Sequence, residues 1–584
     1  MKTLIYAIRI ITRMKAYSII CILGLVISMA GTMTLVRYIH QELTVDHYLK
    51  DLDKLHLLTS TIPSENHISL GNNRNWNRES HFVDPLNHPS VDSYTQITVL
   101  PMGEVGKDKH HFAVRAIAAD TAFFQFLPRE TSIGTTDNLP PDGIILTEEF
   151  ANRLFGKNNP LGQALTFGGK NVKVCGVVKA PATKLSLNYD AVVSSKLQRE
   201  WMGMGNASQF CLVRLHQGSD LEALNEWQPI QKLRVFNNME SRFQLLPLKD
   251  FYFTPQLRPY RGEGMCPKGD TSGIHILVFV AALLFFIGIL NYLNLYTVIM
   301  QKRGIEFGIK KVFGASRWTF FKQLYTENLL LTAITYLFVG MIIEITDKVL
   351  VSTLGIPIYR NAHFDFMLSL TMLFGFPLLT MLYPYFRQVY NRPVSSLKGI
   401  RKGGGSPFTR SLFLSIQYII SFCLIVVSIY FAKQLNDMLN ADLGFRTQDI
   451  IRCTLIPAKN QDVVIRDMEA WEREREKEKQ NAAHITHTLN SSPIILAWSV
   501  SDDVWNNQST PRPLFRKAGT EEEFQLGTSE SFSSADIRLF DLQIVEGRGW
   551  DDQTDTFTAY NLIINESAKK ALGITDIHTA QIQT

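Results

Sequence analysis

The chain alternates long apolar runs with polar tracts. Residues 17–36, 274–300, 324–345, 366–386 and 411–432 form five runs rich in Leu, Ile, Val and Phe. Each is about 20 residues or longer, the length a helix needs to cross a bilayer core. The first is uncharged up to Arg37. It outlasts the roughly 7–15-residue core of a cleaved secretory signal, so it reads as a membrane span. Asn291 and Asn294 sit in the second run beside Tyr292 and Tyr296. Polar groups there are expected to face neighbouring helices rather than lipid. Pro377 and Pro384 are expected to kink the fourth run. Residues 347–365 are a short connection.

Residues 41–272 are polar with strand-like runs and turn signals, the pattern of a mixed α+β domain, and residues 433–584 are polar again. One passage is readable residue by residue. Ile144–Leu146 is a short strand, and Thr147 is placed to cap a helix that opens with Glu148 and Glu149. Phe150, Leu154 and Phe155 give that helix an apolar face, and Gly156 closes it. A turn at Pro160-Leu161-Gly162 leads to strands at Leu165–Phe167 and Val172–Val178, broken by Gly168-Gly169. The same order returns at Leu562-Ile563-Ile564-Asn565-Glu566 with Gly573, one residue shorter. The chain therefore reads as a repeat of basic segment, span and polar domain. Far more chain follows the passage in the first copy than in the second. The second domain is expected to be incomplete, with three further spans missing. The fold class expected is a membrane protein, an α-helical bundle with two mixed α+β extracytoplasmic domains.

Between the second and third runs lies QKRGIEFGIKKVFGASRWTFFKQ, residues 301–323. Ile305, Ile309 and Val312 fall on one helical face. Lys302, Glu306 and Lys310 fall on another, with Glu–Lys support one turn apart. Gly314 is placed to end this helix and Ser316 to cap the next. Glu306 is expected on a polar face open to a partner, and Glu327 is expected near head groups or that same partner.

Charge orients the whole. Lys and Arg gather in residues 1–16, 301–323 and 387–410, which fall on one side if all five runs span. Such loops stay in the cytoplasm, which places both large polar domains outside. The net charge of +5 leaves no global nucleic-acid signal. The six cysteines form no C-x-x-C pair and read as small buried hydrophobes. His110-His111 and His81/His88 lack partners at metal spacing and read as loop surface. Glu469–Lys479 alternates in sign, as on a solvated helix face. There is no P-loop: the nearest glycine–lysine neighbourhood, Gly162 to Lys170, has the wrong spacing, and Asn171 stands where a hydroxyl belongs. Neither H-E-x-x-H nor G-x-S-x-G occurs. No catalytic residue, metal or cofactor is expected in this chain.

These segments resemble a known family. ILGLVISMAGTMTLVRYIHQELTVDHY is similar to the first span and its exit in MacB/FtsX-type permeases of ABC transporters, particularly the long duplicated form common in Bacteroidetes. GIILTEEFANRLFGKNNPLGQALTFGGKNVKVCGVV resembles the middle of that family's periplasmic core domain. NYLNLYTVIMQKRGIEFGIKKVFGASRWTFFKQLYTENLL resembles its second span, coupling helix and third span. IVEGRGW (Ile544–Trp550) and LGF (Leu443–Phe445) add weaker matches in the second half. The resemblance implies a multi-pass permease of the bacterial inner membrane with a cytoplasmic N-terminus. It implies no ATPase in this chain, a separate ABC ATP-binding subunit as partner, and coupling of ATP hydrolysis to movement of the outer domains. A periplasmic adaptor and an outer-membrane channel stand as further partners. Arg303, Glu306, Gly308, Lys310, Lys311, Gly314 and Ala315 match the coupling-helix motif, while Phe307 and Phe313 replace smaller aliphatic residues. The alternative from another class is a membrane-bound sensor or adaptor. It would bind a peptide outside and signal to a two-component kinase without transport.

Overall fold

The computed structural model of the chain describes residues 8–9, 15–62, 67–70, 88–100, 103–107, 110–137, 139–168, 170–181, 183–197, 208–227, 231–233, 239–254, 257, 265–354, 359, 361–390, 407–442, 444–446, 448–451, 468–499, 514–517, 524–525, 533–550, 562–578 and 580–583. Among these, five helices are long and apolar enough to cross a membrane. They are α1 (Lys15–Leu43), α3 (Thr271–Lys302), α5 (Arg317–Leu354), α6 (Ala362–Tyr390) and α7 (Pro407–Leu439). Each outruns the apolar run inside it. The helical backbone bonds continue past the point where charged residues begin, as at Arg37, His40 and Glu42 in α1.

Small residues set the closest helix contact. Gly24, Ser28 and Gly31 of α1 face α3, and a Cβ added at Gly24 would lie 2.1 Å from Asn291 Nδ2. A Cβ at Gly288 would lie 2.9 Å from the Ser28 Cβ. With lipid tails as apolar as leucine, membrane helices associate through such close packing rather than through the hydrophobic effect. The second span's polar groups do face neighbours. The Tyr292 hydroxyl donates to Asn328 Oδ1 of α5, and Asn294 Nδ2 donates to Gln417 Oε1 of α7 at 3.2 Å. Pro377 and Pro384 stand inside α6 without ending it.

The domain between α1 and α3 is built on one mixed sheet, of fourteen strands among the described residues. The expected passage is there. Strand Gly143–Thr147 runs parallel to Lys170–Val178 and antiparallel to Ala191–Ser194. The Thr147 hydroxyl accepts from Phe150 N and caps α2 (Glu148–Phe155). Phe150, Leu154 and Phe155 then pack onto Ile144, Leu146, Val172 and Val174. His110 lies in strand His110–Val114 rather than in a loop, and His111 Nδ1 of that strand lies 3.5 Å from Glu104 of its antiparallel neighbour Gly103–Lys107.

After α7 comes α8 (Met468–Ser491), whose Glu472, Glu476 and Lys479 are exposed. The repeated passage keeps its caps. Asn565 accepts from Ala568 N ahead of the helix Glu566–Ala571, and Gly573 (φ 59°) closes it as Gly156 (φ 60°) closes α2. Leu562–Ile564, expected as a strand, pairs with none among the described residues. In the first copy both flanking strands follow the passage in sequence. Leu443 of the LGF segment lies outside the described residues, while Phe445 packs edge-on against Phe540.

Candidate functional site

A nine-residue helix, α4 (Gly304–Val312), bridges α3 and α5 at the end of the bundle away from the sheet domain. α3 enters the bundle from that domain and delivers its C-terminus to α4. Arg303 opens the helix. Gly314, at φ +79°, lets the chain turn left-handed after it, where a side chain is strained. The Ser316 hydroxyl accepts from Thr319 N and caps α5.

One face of α4 is locked to the bundle by charge. Arg303 Nη1 and Nη2 donate to the two oxygens of Glu327 at 2.6 and 3.0 Å, a forked pair to α5. Arg303 Nε donates to Glu306 Oε2 at 3.0 Å, and Lys310 Nζ donates to Glu306 Oε1 at 2.6 Å. Gln323 completes the ring, accepting from Lys310 at 2.8 Å and donating to Glu327 at 3.0 Å. Beneath it lies Phe307, 1% exposed, packed on Phe320 and under the Arg303 guanidinium. Burial acts to lower the Arg303 pKa, but the hydrogen bonds and charge of Glu327, then Glu306, raise it overall. Lys311 Nζ donates to Val389 O at 3.0 Å and so ties α4 to the last turn of α6.

The opposite face is bare. Ile305, Ile309, Val312 and Phe313 are 41, 44, 63 and 86% exposed. The apolar stripe visible in the sequence thus points away from the protein, and the charged residues point into it. This corrects two expectations. Glu306, expected on an open polar face, has its carboxylate taken up by Arg303 and Lys310 and is only partly exposed. Glu327, 4% exposed, reaches neither head groups nor a partner. Of the seven motif residues, Arg303, Glu306, Lys310 and Lys311 form the mount, Gly308 is buried against the bundle, and Gly314 and Ala315 make the turn into α5. Gln323 and Glu327 lie about two and three turns into the next helix, and no sequence spacing points to their ring with Arg303. Phe313, one of the two motif positions that depart from the family pattern, extends the exposed stripe, while Phe307, the other, is buried beneath the ring.

The far ends of the helices carry a second joint. Arg37 of α1 pairs with Asp347 of α5 at 3.2 Å and with Asp365 of α6 at 3.1 Å. One turn on, Glu42 accepts from Lys184 Nζ of the sheet domain at 2.7 Å and from the Tyr252 hydroxyl. Asp46 sits in the left-handed region (φ 61°) with its carboxylate on Ser186 N at 3.1 Å. Burial pushes the Asp46 carboxyl up, against the hydrogen bonds from Ser186 and the charge of Arg129. Gln41 Oε1 accepts from Tyr359 N at 3.1 Å, and His40 stacks on Phe364.

Comparison with known proteins gives the following. Residues 18–227 match the family model of the MacB-like periplasmic core domain, and residues 278–392 match that of the FtsX-like permease C-terminal domain. An uncharacterized ABC transporter permease of Bacillus subtilis (strain 168), YknZ, is 24% identical over 212 residues, 36% of this chain. The chain spans about half (50%) of the length of that curated relative. Among solved structures, a domain assigned to a permease protein of Porphyromonas gingivalis is similar at 17% identity and a TM-score of 0.27, over 36% of this chain and 94% of that one. The periplasmic region of MacB from Actinobacillus actinomycetemcomitans is similar at 15% and 0.22, over 30% and 81%. The extracellular domain of the ABC-type transporter YknZ from Gram-positive bacteria is similar at 14% and 0.24, over 32% and 99%.

Proposed function

We propose a force-transmitting role for this chain, which is a MacB/FtsX-type ABC transporter permease. A separate ATP-binding subunit docks on the apolar face of α4, and its ATP-driven closure moves α4. The observation that carries this reading is the division of α4 into a charged face locked to the bundle and a bare apolar face. A helix held by a buried forked ion pair moves with the helix it is pinned to, and an exposed apolar stripe is where another protein gains from burial. Displacement passes from α4 to α5 through Arg303 and Glu327 and runs along α5 to Asp347. It then crosses Arg37 to α1 and enters the sheet domain through Glu42 and Asp46. In this reading α4 and the N-terminus are cytoplasmic, the membrane is the bacterial inner membrane, and the sheet domain and the segment after α7 are periplasmic. Arg303, Glu306, Gly308, Lys310, Lys311, Gly314 and Ala315 set the position of the docking helix rather than touching the partner.

The test is Ile309→Asp and Phe313→Asp in vesicles reconstituted with the ATP-binding subunit. Both side chains are exposed, so the fold should change by only about 0.5 kcal/mol or less. Co-purification of the ATP-binding subunit and stimulation of its ATPase should both be lost. Unchanged stimulation in both variants would remove α4 as the docking element. Response of an adjacent two-component kinase to the same variants, without any effect on an ATPase, would favour the sensor reading.

A further inference from the structure

The seam between the first turns of α5 and the last turns of α6 carries a second unassigned surface. Its core is a ribbon of aromatic rings. Trp318 stacks on Phe321 at 4.9 Å, and Phe321 meets Tyr385 edge-on at 5.8 Å. Tyr385 touches Phe386 at 5.5 Å, and Phe386 stacks on Tyr390 at 6.4 Å. Three of these rings are mostly bare: Trp318, Phe386 and Tyr390 are 60, 51 and 73% exposed. The ribbon runs on into exposed Leu378 and Leu382 of α6, so its lower edge is continuous with the apolar surface of a helix long enough to cross a membrane.

Its upper edge is positive. Lys322 Nζ sits 5.4 Å over the Trp318 ring, and Arg317 precedes that ring in sequence. Neither cation has an ion pair among the described residues. The contrast with α4 is sharp, since Arg303 and Lys310 there are matched by Glu306 and Glu327. Arg317 also lies close enough to Lys311 to lower that lysine's pKa, in addition to the effect of burial. Arg317 and Lys322, flanking exposed aromatic rings at a membrane boundary, complement an anion whose other end is apolar. Tryptophan and tyrosine favour the head-group level because one edge is polar and the rest is not.

We propose that this seam binds the phosphate head group of an anionic phospholipid, with Arg317 and Lys322 on the phosphate and Trp318 at the glycerol level. The lipid would steady α5 beside the turn that carries α4. Nothing here depends on the ATP-binding subunit. The docking role rests on Ile305, Ile309, Val312 and Phe313, so the two readings fail separately.

The test uses the full chain in detergent, offered phosphatidylglycerol and phosphatidylcholine together and read by native mass spectrometry. Phosphatidylglycerol should be retained preferentially. Each basic residue near an anionic surface contributes about 1 kcal/mol, close to fivefold, so Arg317→Gln with Lys322→Gln should weaken retention by roughly 25-fold. The charge-preserving pair Arg317→Lys with Lys322→Arg should keep it, which separates loss of charge from loss of fold. Millimolar inorganic phosphate should not displace the lipid. Equal retention by wild type and the neutral pair, no preference over phosphatidylcholine, or displacement by free phosphate would each overturn the proposal. So would a neutral pair that loses the ATP-binding subunit while keeping the lipid, since the seam would then be a protein-docking surface.

Discussion

Replacing Arg303 by Met tests the mount of α4 directly. The side chains of Arg303 and Glu327 are 7 and 5% exposed, so this pair is not a surface ion pair worth about 0–1 kcal/mol. Removing one partner of a buried pair strands the other charge and costs about 3–5 kcal/mol. Methionine keeps most of the volume over Phe307, so the loss is electrostatic rather than a cavity. With every 1.4 kcal/mol worth about tenfold, local opening of α4 should rise by roughly two to three and a half orders of magnitude. Hydrogen exchange of the backbone amides of residues 304–313, in the full chain in nanodiscs, reads that opening. Adding Glu327→Gln removes the stranded charge and should recover more than half of the lost protection. Glu306 is nearer solvent and keeps Lys310, so it does not undo the recovery. Wild-type exchange rates in the single variant would refute the buried mount, and so would a double variant no better than the single one.

Other outcomes follow from the same geometry. Glu306→Lys places a third cation beside Arg303 and Lys310, so it should loosen α4 as Arg303→Met does while leaving the apolar stripe intact; the same exchange measurement distinguishes this from a pure docking defect. Arg37→Gln leaves Asp347 and Asp365 without their shared cation, and thermal unfolding in nanodiscs should show a loss of about 3 kcal/mol, the low end for a broken buried pair. Gly24→Val should cost about 1–3 kcal/mol by forcing α1 from α3, read as a lower unfolding midpoint. In the sheet domain, burial pushes the Asp190 carboxyl up, but Arg115, bonded at 2.8 and 3.0 Å, holds it below the usual carboxylate range. A depressed carboxylate stabilises above its unfolded pKa, near 4, and that gain is lost as pH falls through the lower folded value. Asp190→Asn should therefore flatten the acid dependence of amide protection in strands Ala116–Ala119 and Ala191–Ser194 below about pH 4.

Much of the architecture was legible because its signals are local. Span length, the capped helix after Gly143–Thr147 and the closing glycine depend on residues within one or two turns of each other. The repeat in the second half was legible for the same reason: Asn565 and Gly573 hold their cap positions although no strand among the described residues pairs those before them. The exit of α1 was less legible. Arg37 looked like the end of a span, whereas the helix continues to Leu43 and Arg37 joins three helices from within it.

The site divides along the same line. The amphipathic pattern of residues 301–323 determined by itself that a short helix lies there with one apolar and one charged face. Which face turns outward was decided only by the tertiary structure. The apolar stripe of a soluble protein's helix turns inward because water is the alternative. Here the neighbouring helices present Glu327, Gln323 and a carbonyl of α6, and a buried guanidinium and two half-buried ammonium groups satisfy them better than isoleucine would. That inversion leaves Ile305, Ile309, Val312 and Phe313 facing out, and it rests on partners 13 to 78 residues away in the chain, beyond the reach of any local pattern.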